Sequence, residues 1–196
     1  MIDILTLMFR LEALKRTART GWNMEFPPGH ALKSRHVPNA ESGADHSWSL
    51  ALFALAVAEK LKLDGFKMVW MALIHDVAEC VTLDIVIATL EPEERQRVKR
   101  EKRNLEDAAM REIFLPHGEW GNKCYTLWLE YEDGTSEEAR ILHQLDKLEA
   151  CIQALLYHEQ GHEVDPNEFF NYTETILQHP DLVALLATLK KRAKQA

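Results

Sequence analysis

The stretch Leu73-Ile74-His75-Asp76 sets an imidazole and a carboxylate side by side at the end of an apolar run. Burying an unpaired aspartate there would cost several kcal/mol, roughly 2–7 even for an uncharged polar group. A bound cation removes that cost, because neutral imidazole and carboxylate are both its ligands. The dyad alone reads equally well as a capped or solvated dipeptide. Two further residues share its situation. His46 follows Glu41-Ser42-Gly43-Ala44-Asp45 and opens a strongly apolar segment, and Asp146 lies beside Leu145 and Leu148 on an apolar face. A carboxylate in a hydrophobic stripe needs a partner. Two imidazoles and two carboxylates suit a borderline divalent metal (Mn²⁺, Co²⁺, Fe²⁺ or Zn²⁺). They leave positions for water and a phosphate oxygen.

These residues require helices to carry them. Ile4, Leu5, Met8, Leu11 and Leu14 recur at three- and four-residue steps, as on one helix face. Residues 23–42 contain Pro27, Pro28, Gly29 and Pro38 and show no period, which predicts a long loop at about 23–41. Ser42 or Asp45 caps a helix with Leu50, Phe53, Ala54 and Val57 inward. Residues 66–81 read as a central helix with Trp70, Leu73, Ile74 and Val77 inward. The charged stretch 91–113 reads as a solvated helix with i,i+4 pairing rather than an RNA-binding stripe. A turn at 114–122 precedes a helix carrying Tyr125, Trp128, Leu129 and Tyr131, and Ser136 opens a long one lined by Ile141, Leu145, Leu148, Ile152 and Leu155. Asp165-Pro166 and His179-Pro180 start the last two. No strand-like alternation, repeat or Gly-rich phosphate loop stands out. The expected fold is all-α, a compact helical bundle forming one domain over 1–196.

With 196 residues, 46% hydrophobic and 28% charged, the chain has the balance of a soluble globular protein. Its longest apolar run, 50–58, is too short to span a bilayer, and the first ten residues lack the pattern of a signal peptide. Cys80, Cys124 and Cys151 have no C-x-x-C spacing, so a reducing, cytoplasmic setting is expected. A formal charge of −8 argues against a groove for long nucleic acid, though not against a small phosphorylated ligand.

The order H…HD…D, with Ala78-Glu79 after the dyad, resembles the HD superfamily of metal-dependent phosphohydrolases, and within it the HD-domain 5′-deoxynucleotidases. The matching words are Leu14-Lys15-Arg16 with Arg19-Thr20-Gly21-Trp22; Glu41-Ser42 with Asp45-His46; His75-Asp76-Val77-Ala78-Glu79-Cys80; Asp84-Ile85; Leu127-Trp128 with Glu130-Tyr131-Glu132; and Gln144-Leu145-Asp146. The resemblance implies an HD-type bundle in which His46, His75, Asp76 and Asp146 are the metal ligands. It implies that Glu79 orients or deprotonates the attacking water and protonates the leaving alkoxide. Asp84 would face the sugar of a nucleoside 5′-monophosphate and favour the deoxy form. Arg19 and Trp22 would contact the phosphate and stack near the nucleoside, with Arg16 a rival for the phosphate and Trp22 alternatively core. Some relatives hold a second, weaker divalent ion (Mg²⁺) through the equivalents of Glu79, Asp84 and the Ile85 backbone. Relatives are often homodimers, and the aromatic segment 120–131 is expected to be exposed for such an interface.

Two departures stand against the family pattern. Leu83 occupies a place where relatives commonly have glycine, and the loop at 23–40 is longer than usual, as for a lid or an altered substrate. Two alternatives follow: a nucleotide-binding protein with little turnover, and a di-iron oxygenase on the same frame. The oxygenase needs two more histidines between the dyad and Asp146, where only His117 and His143 are available.

Overall fold

The computed structural model describes residues 3–30, 32–87 and 90–195; Ala31, inside the expected loop, and the side chain of Pro92 lie outside that description. The architecture is helical: α1 (Ile4–Leu11), α2 (Gly43–Leu61), α3 (Gly65–Ile74), α4 (Glu79–Thr82), α5 (Pro92–Phe114), α6 (Gly118–Asp133), α7 (Glu137–Glu159), α8 (Pro166–Glu174) and α9 (Pro180–Ala193). Single 3-10 turns at Glu12–Arg16, Thr20–Trp22 and Leu115–His117 join some of them.

Helix α2 starts where its capping chemistry dictates. The Ser42 hydroxyl accepts from the Asp45 N–H, and the Asp45 carboxylate accepts from the Ser42 N–H, which closes a capping box. Leu50, Ala54, Val57 and Ala58 then line one face and pack against α3 and α7. Helix α7 is capped by Ser136 and buries Leu142, Leu145, Leu148, Cys151 and Leu155 along its length. It is the central rod, against which α2, α3, α6, α8 and α9 all pack. Helices α5 and α6 close the bundle through Met110, Ile113, Phe114 and Trp128, all essentially without solvent contact.

The structure departs from the periodicity in several places. The expected helix over 66–81 is broken at the dyad: α3 stops at Ile74, and Val77 and Glu79 donate their N–H groups to the Ile74 and Asp76 carbonyls in three-residue turns. Three residues per turn bring i and i+3 onto one side, so Asp76 and Glu79 face the same way. Leu73 points outward; of the face read from spacing that starts on α1, Ile4, Leu5 and Met8 are exposed while Leu14 is buried, and Leu7 is buried besides. Residues 12–16 leave the α-helical path for a 3-10 turn, which carries Leu14 into the core. The turn expected at 114–122 is shorter, since α6 begins at Gly118. Tyr125, Trp128 and Tyr131 are buried, so 120–131 is not the exposed aromatic surface expected; of its aromatic rings, Trp120 alone is substantially open.

The loop at 23–41 also carries structure that the sequence did not announce. Asn23–Met24 pairs antiparallel with Arg35–His36. Arg35 donates to the Gly21 carbonyl and to Glu168, and its guanidinium lies 4.9 Å from the centre of the Phe169 ring. Lys33 reaches Asp165, and its N–H reaches Glu168. The loop is thereby fastened to the start of α8.

Leu83 holds φ 61° and ψ 169°, a conformation that only glycine adopts freely. Such strain costs on the order of 1–3 kcal/mol, more than the roughly 0.5–1 kcal/mol that glycine's extra unfolded-state freedom costs. Leu83→Gly is therefore expected to raise Tm by about 2–4 °C. A Tm that stays level or falls in thermal unfolding would show that the leucine side chain contributes more than its backbone loses.

Candidate active site

Four elements converge on one point: the first turn of α2, the turn after α3, the short helix α4 and the middle of α7. His46 is fully buried and His75 nearly so. His46 Nδ1 lies 2.7 Å from Glu149 Oε2, and His75 Nδ1 lies 2.8 Å from the Ala72 carbonyl. Both partners are acceptors, so each Nδ1 carries a proton and each Nε2 is left to face another group. Each Nε2 faces a carboxylate. His46 Nε2 is 3.0 Å from Asp146 Oδ1, and His75 Nε2 is 3.1 Å from Asp76 Oδ2. Both Nε2 atoms are buried without a hydrogen-bond partner.

A buried imidazole nitrogen facing a carboxylate is bridged by a proton or by a metal ion that displaces it. Ligand atoms of His46, His75 and Asp146 lie within 4.8 Å of one another. Donors sharing an ion at about 2.1 Å must sit about 3–4 Å apart, so the set fits a divalent metal. Asp76 abuts the set through His75 rather than joining it on all sides, and its Oδ2 also accepts from Arg19 at 3.0 Å. The donor chemistry, imidazole nitrogen with carboxylate oxygen, suits Zn²⁺, Mn²⁺, Fe²⁺ or Co²⁺.

In the polypeptide alone a proton fills the bridge at His46. Burial and the Arg19 charge both push the His46 pKa down, yet Asp146 and Glu149 together carry it up to about 10 in the polypeptide alone. Asp146 is held well below the usual carboxylate range: burial opposes this, but Lys147, donating to its Oδ2 at 2.7 Å, and His46 outweigh it. Asp76 is likewise lowered, against its burial, by His75 and Arg19. Glu79 behaves oppositely. Burial, then the charges of Asp76 and Asp84, push it up to about 9 despite Lys102 and Arg19. Its Oε2 is buried without a partner.

Other expected residues fall around this point. Asp84 Oδ2 accepts the Thr20 N–H at 2.7 Å, and the Thr20 hydroxyl donates to the Asp84 carbonyl, which ties the segment carrying Arg19 to the chain after α4. Arg19 stands between Asp76 and Glu41. Arg16 is exposed and lines a separate surface hollow of about 430 Å³ with Thr17, Thr20, Cys80 and Leu83. Trp22 is only 3% exposed; it stacks on Phe169 and meets Tyr157 edge-on. That enclosure makes it a support, not a stacking platform, and its indole N–H donates to Glu41 Oε1 at 2.9 Å. The Ile85 carbonyl accepts from Lys102. The His143 Nε2–H donates to the Tyr131 carbonyl at 2.7 Å, and its ring stacks on that of Tyr131; with His117 it stands outside the cluster, so the pair of extra histidines a di-iron centre needs is not assembled among the described residues.

Sequence reasoning missed Glu149, Lys147, Glu41 and Lys102. Glu149 was within reach of the argument used for Asp146: it lies one turn further along the same apolar face, beside Leu148. Glu41, pushed up to about 7 by burial and Glu149 against Arg19, His46 and the Trp22 N–H, lies with Glu149 on the far side of His46.

Residues 11–183 match the profile of the HD domain, and the chain belongs to that family. It is an enzyme of the metal-dependent phosphohydrolase class. Among its relatives is a human protein named 5′-deoxynucleotidase HDDC2, 34% identical over 180 residues, which cover 90% of this chain and 79% of the human one. A zebrafish protein of the same name is 32% identical, covering 97% of this chain and 88% of its own. Among solved structures, a conserved hypothetical protein from Pyrococcus furiosus superposes with a TM-score of 0.69 at 26% identity, covering 98% of this chain and 99% of that one. No described helix is long and apolar enough to cross a membrane.

Proposed function

We propose that the chain hydrolyses a nucleoside 5′-monophosphate, with a deoxyribonucleotide preferred, to nucleoside and phosphate. One observation carries the reading: two buried imidazole nitrogens without hydrogen-bond partners face carboxylate oxygens at 3.0 and 3.1 Å. In this reading His46, His75, Asp76 and Asp146 hold one divalent ion, which supplies a Lewis acid and local positive charge when bound. With a divalent charge beside it Glu79 is ionised despite its raised pKa in the polypeptide alone, so that Oε2 takes the proton of the attacking water and the same carboxyl returns it to the leaving 5′-oxygen. Arg19 has its guanidinium anchored by Asp76 and Glu41, so its planar fork is oriented before a phosphate arrives. Asp84, with one oxygen fixed by Thr20, faces the sugar. The relatives' names support the substrate class.

The test is a panel of ribo- and deoxyribonucleoside 5′-monophosphates and simple phosphate esters, each incubated with protein loaded with Mn²⁺, Co²⁺, Fe²⁺ or Zn²⁺. Phosphate release fastest from a deoxynucleotide is expected. Binding without release under every metal would replace the proposal with a nucleotide-binding role.

A further inference from the structure

We propose that Lys102 of α5 is a built-in cation standing where a second divalent ion would sit, so that the working protein takes one divalent ion per chain. The inference rests on the one-ion reading above and concerns the three groups expected to hold a second ion, Glu79, Asp84 and the Ile85 backbone. Each already has an internal partner. The Lys102 ammonium donates to the Ile85 carbonyl at 3.4 Å and lies 3.7 Å from Glu79 Oε1 and 3.4 Å from Glu106. Asp84 is engaged by the Thr20 N–H and hydroxyl through its side chain and carbonyl.

The position of Lys102 is not that of a passing surface side chain. Its side chain is 22% exposed, against 4% for Glu79 and 13% for Glu106. Helix α5 presents it on the face that also carries Glu106, Ala109, Met110 and Ile113, and the last three are anchored in the core. A Mg²⁺ ion needs near-octahedral oxygen ligands at about 2.1 Å. Seated on the Ile85 carbonyl, it would lie at most about 5.5 Å from the ammonium nitrogen, with the two charges repelling. The groups here therefore do not fit a second ion while Lys102 is in place. They do fit a single positive charge that holds Glu79 by Oε1 and leaves its unpartnered Oε2 turned to the reaction.

The test counts ions on the full chain. Protein equilibrated with Mn²⁺ is dialysed and its metal measured by mass spectrometry, then titrated with Mg²⁺ by calorimetry. Wild type is expected to hold one tight ion and to show no second site up to about 5 mM Mg²⁺. Lys102→Met is expected to gain a second site at least about tenfold tighter than any in wild type, lost again in Lys102→Met/Glu79→Gln. Lys102→Arg, which keeps the charge, should stay at one ion. A second wild-type site that Glu79→Gln removes would overturn the proposal. So would a folded Lys102→Met, verified by circular dichroism, that still takes one ion. If Lys102→Met does not fold, the wild-type titration and Lys102→Gln decide the same question. A chain that binds no ion at all overturns the proposed function itself and this inference with it, a result distinct from a count of two.

Discussion

Asp146→Asn is expected to weaken divalent-metal binding by at least about 10³-fold and to abolish phosphate release, with the helical circular dichroism spectrum unchanged. The substitution keeps the shape of the side chain and removes only its charge. That charge serves three neighbours at once: Oδ1 faces His46 Nε2, Oδ2 accepts from Lys147, and the carboxylate raises the basicity of His46. The amide leaves Lys147 without its acceptor, but that side chain is 39% exposed and water can replace the lost partner, so the fold persists. Proton linkage gives the same experiment a second readout. His46 is raised from 6.5 to about 10 in the polypeptide alone. Its contribution to metal-free stability is therefore complete below pH 6.5 and is lost as pH rises toward 10. A metal must displace that proton, so wild-type affinity should rise about tenfold per pH unit between about 7 and 9 and flatten near 10. In Asp146→Asn the slope should be shallower. Tight binding retained by the variant, measured by calorimetry, would remove Asp146 from the ligand set.

Glu79→Gln is expected to keep the metal and lower kcat by about 10²–10⁴-fold, with KM changed by less than about threefold. The glutamate is 3% exposed, and one of its oxygens has no partner in the protein. A buried carboxyl with a free oxygen beside a cation site is placed to take a proton from water, and an amide is not. Metal content measured on the same sample separates this effect from loss of the ion. A kcat within fivefold of wild type would assign the proton transfer elsewhere.

The residues at the centre were legible because each broke a pattern. A histidine or aspartate set into an apolar stripe is costly without a partner, and that cost marks His46, His75, Asp76 and Asp146 in the one-dimensional string. Glu149 breaks the same pattern one turn further along the same face of α7. Lys102 was hidden for the opposite reason. In a helix as charged as α5, a lysine four residues from Glu106 reads as one more solvated pair, and nothing local shows that this face turns inward. Helical periodicity also extended across the dyad, because apolar spacing does not distinguish a continuous helix from two joined by tightened turns. The stripe that starts on α1 shows the same limit: spacing identifies it, and only packing decides that Leu7 and Leu14 are covered while Ile4, Leu5 and Met8 are not.

The segment bearing the small hairpin leaves and re-enters the body at nearly one place. The Ala18–Ser42 bridge and the bond from the Val37 N–H to the Trp22 carbonyl staple its two roots together, with Val37 and Trp22 packed in one cluster. Closing a loop at its base makes the cost of extra length grow only logarithmically, about 0.6 kcal/mol for each doubling. The stretch between the staples is thus a tolerant insertion point, where a lineage can lengthen or trim the chain, or an engineer can graft a reporter, while the residues proposed to hold the ion stay where they are.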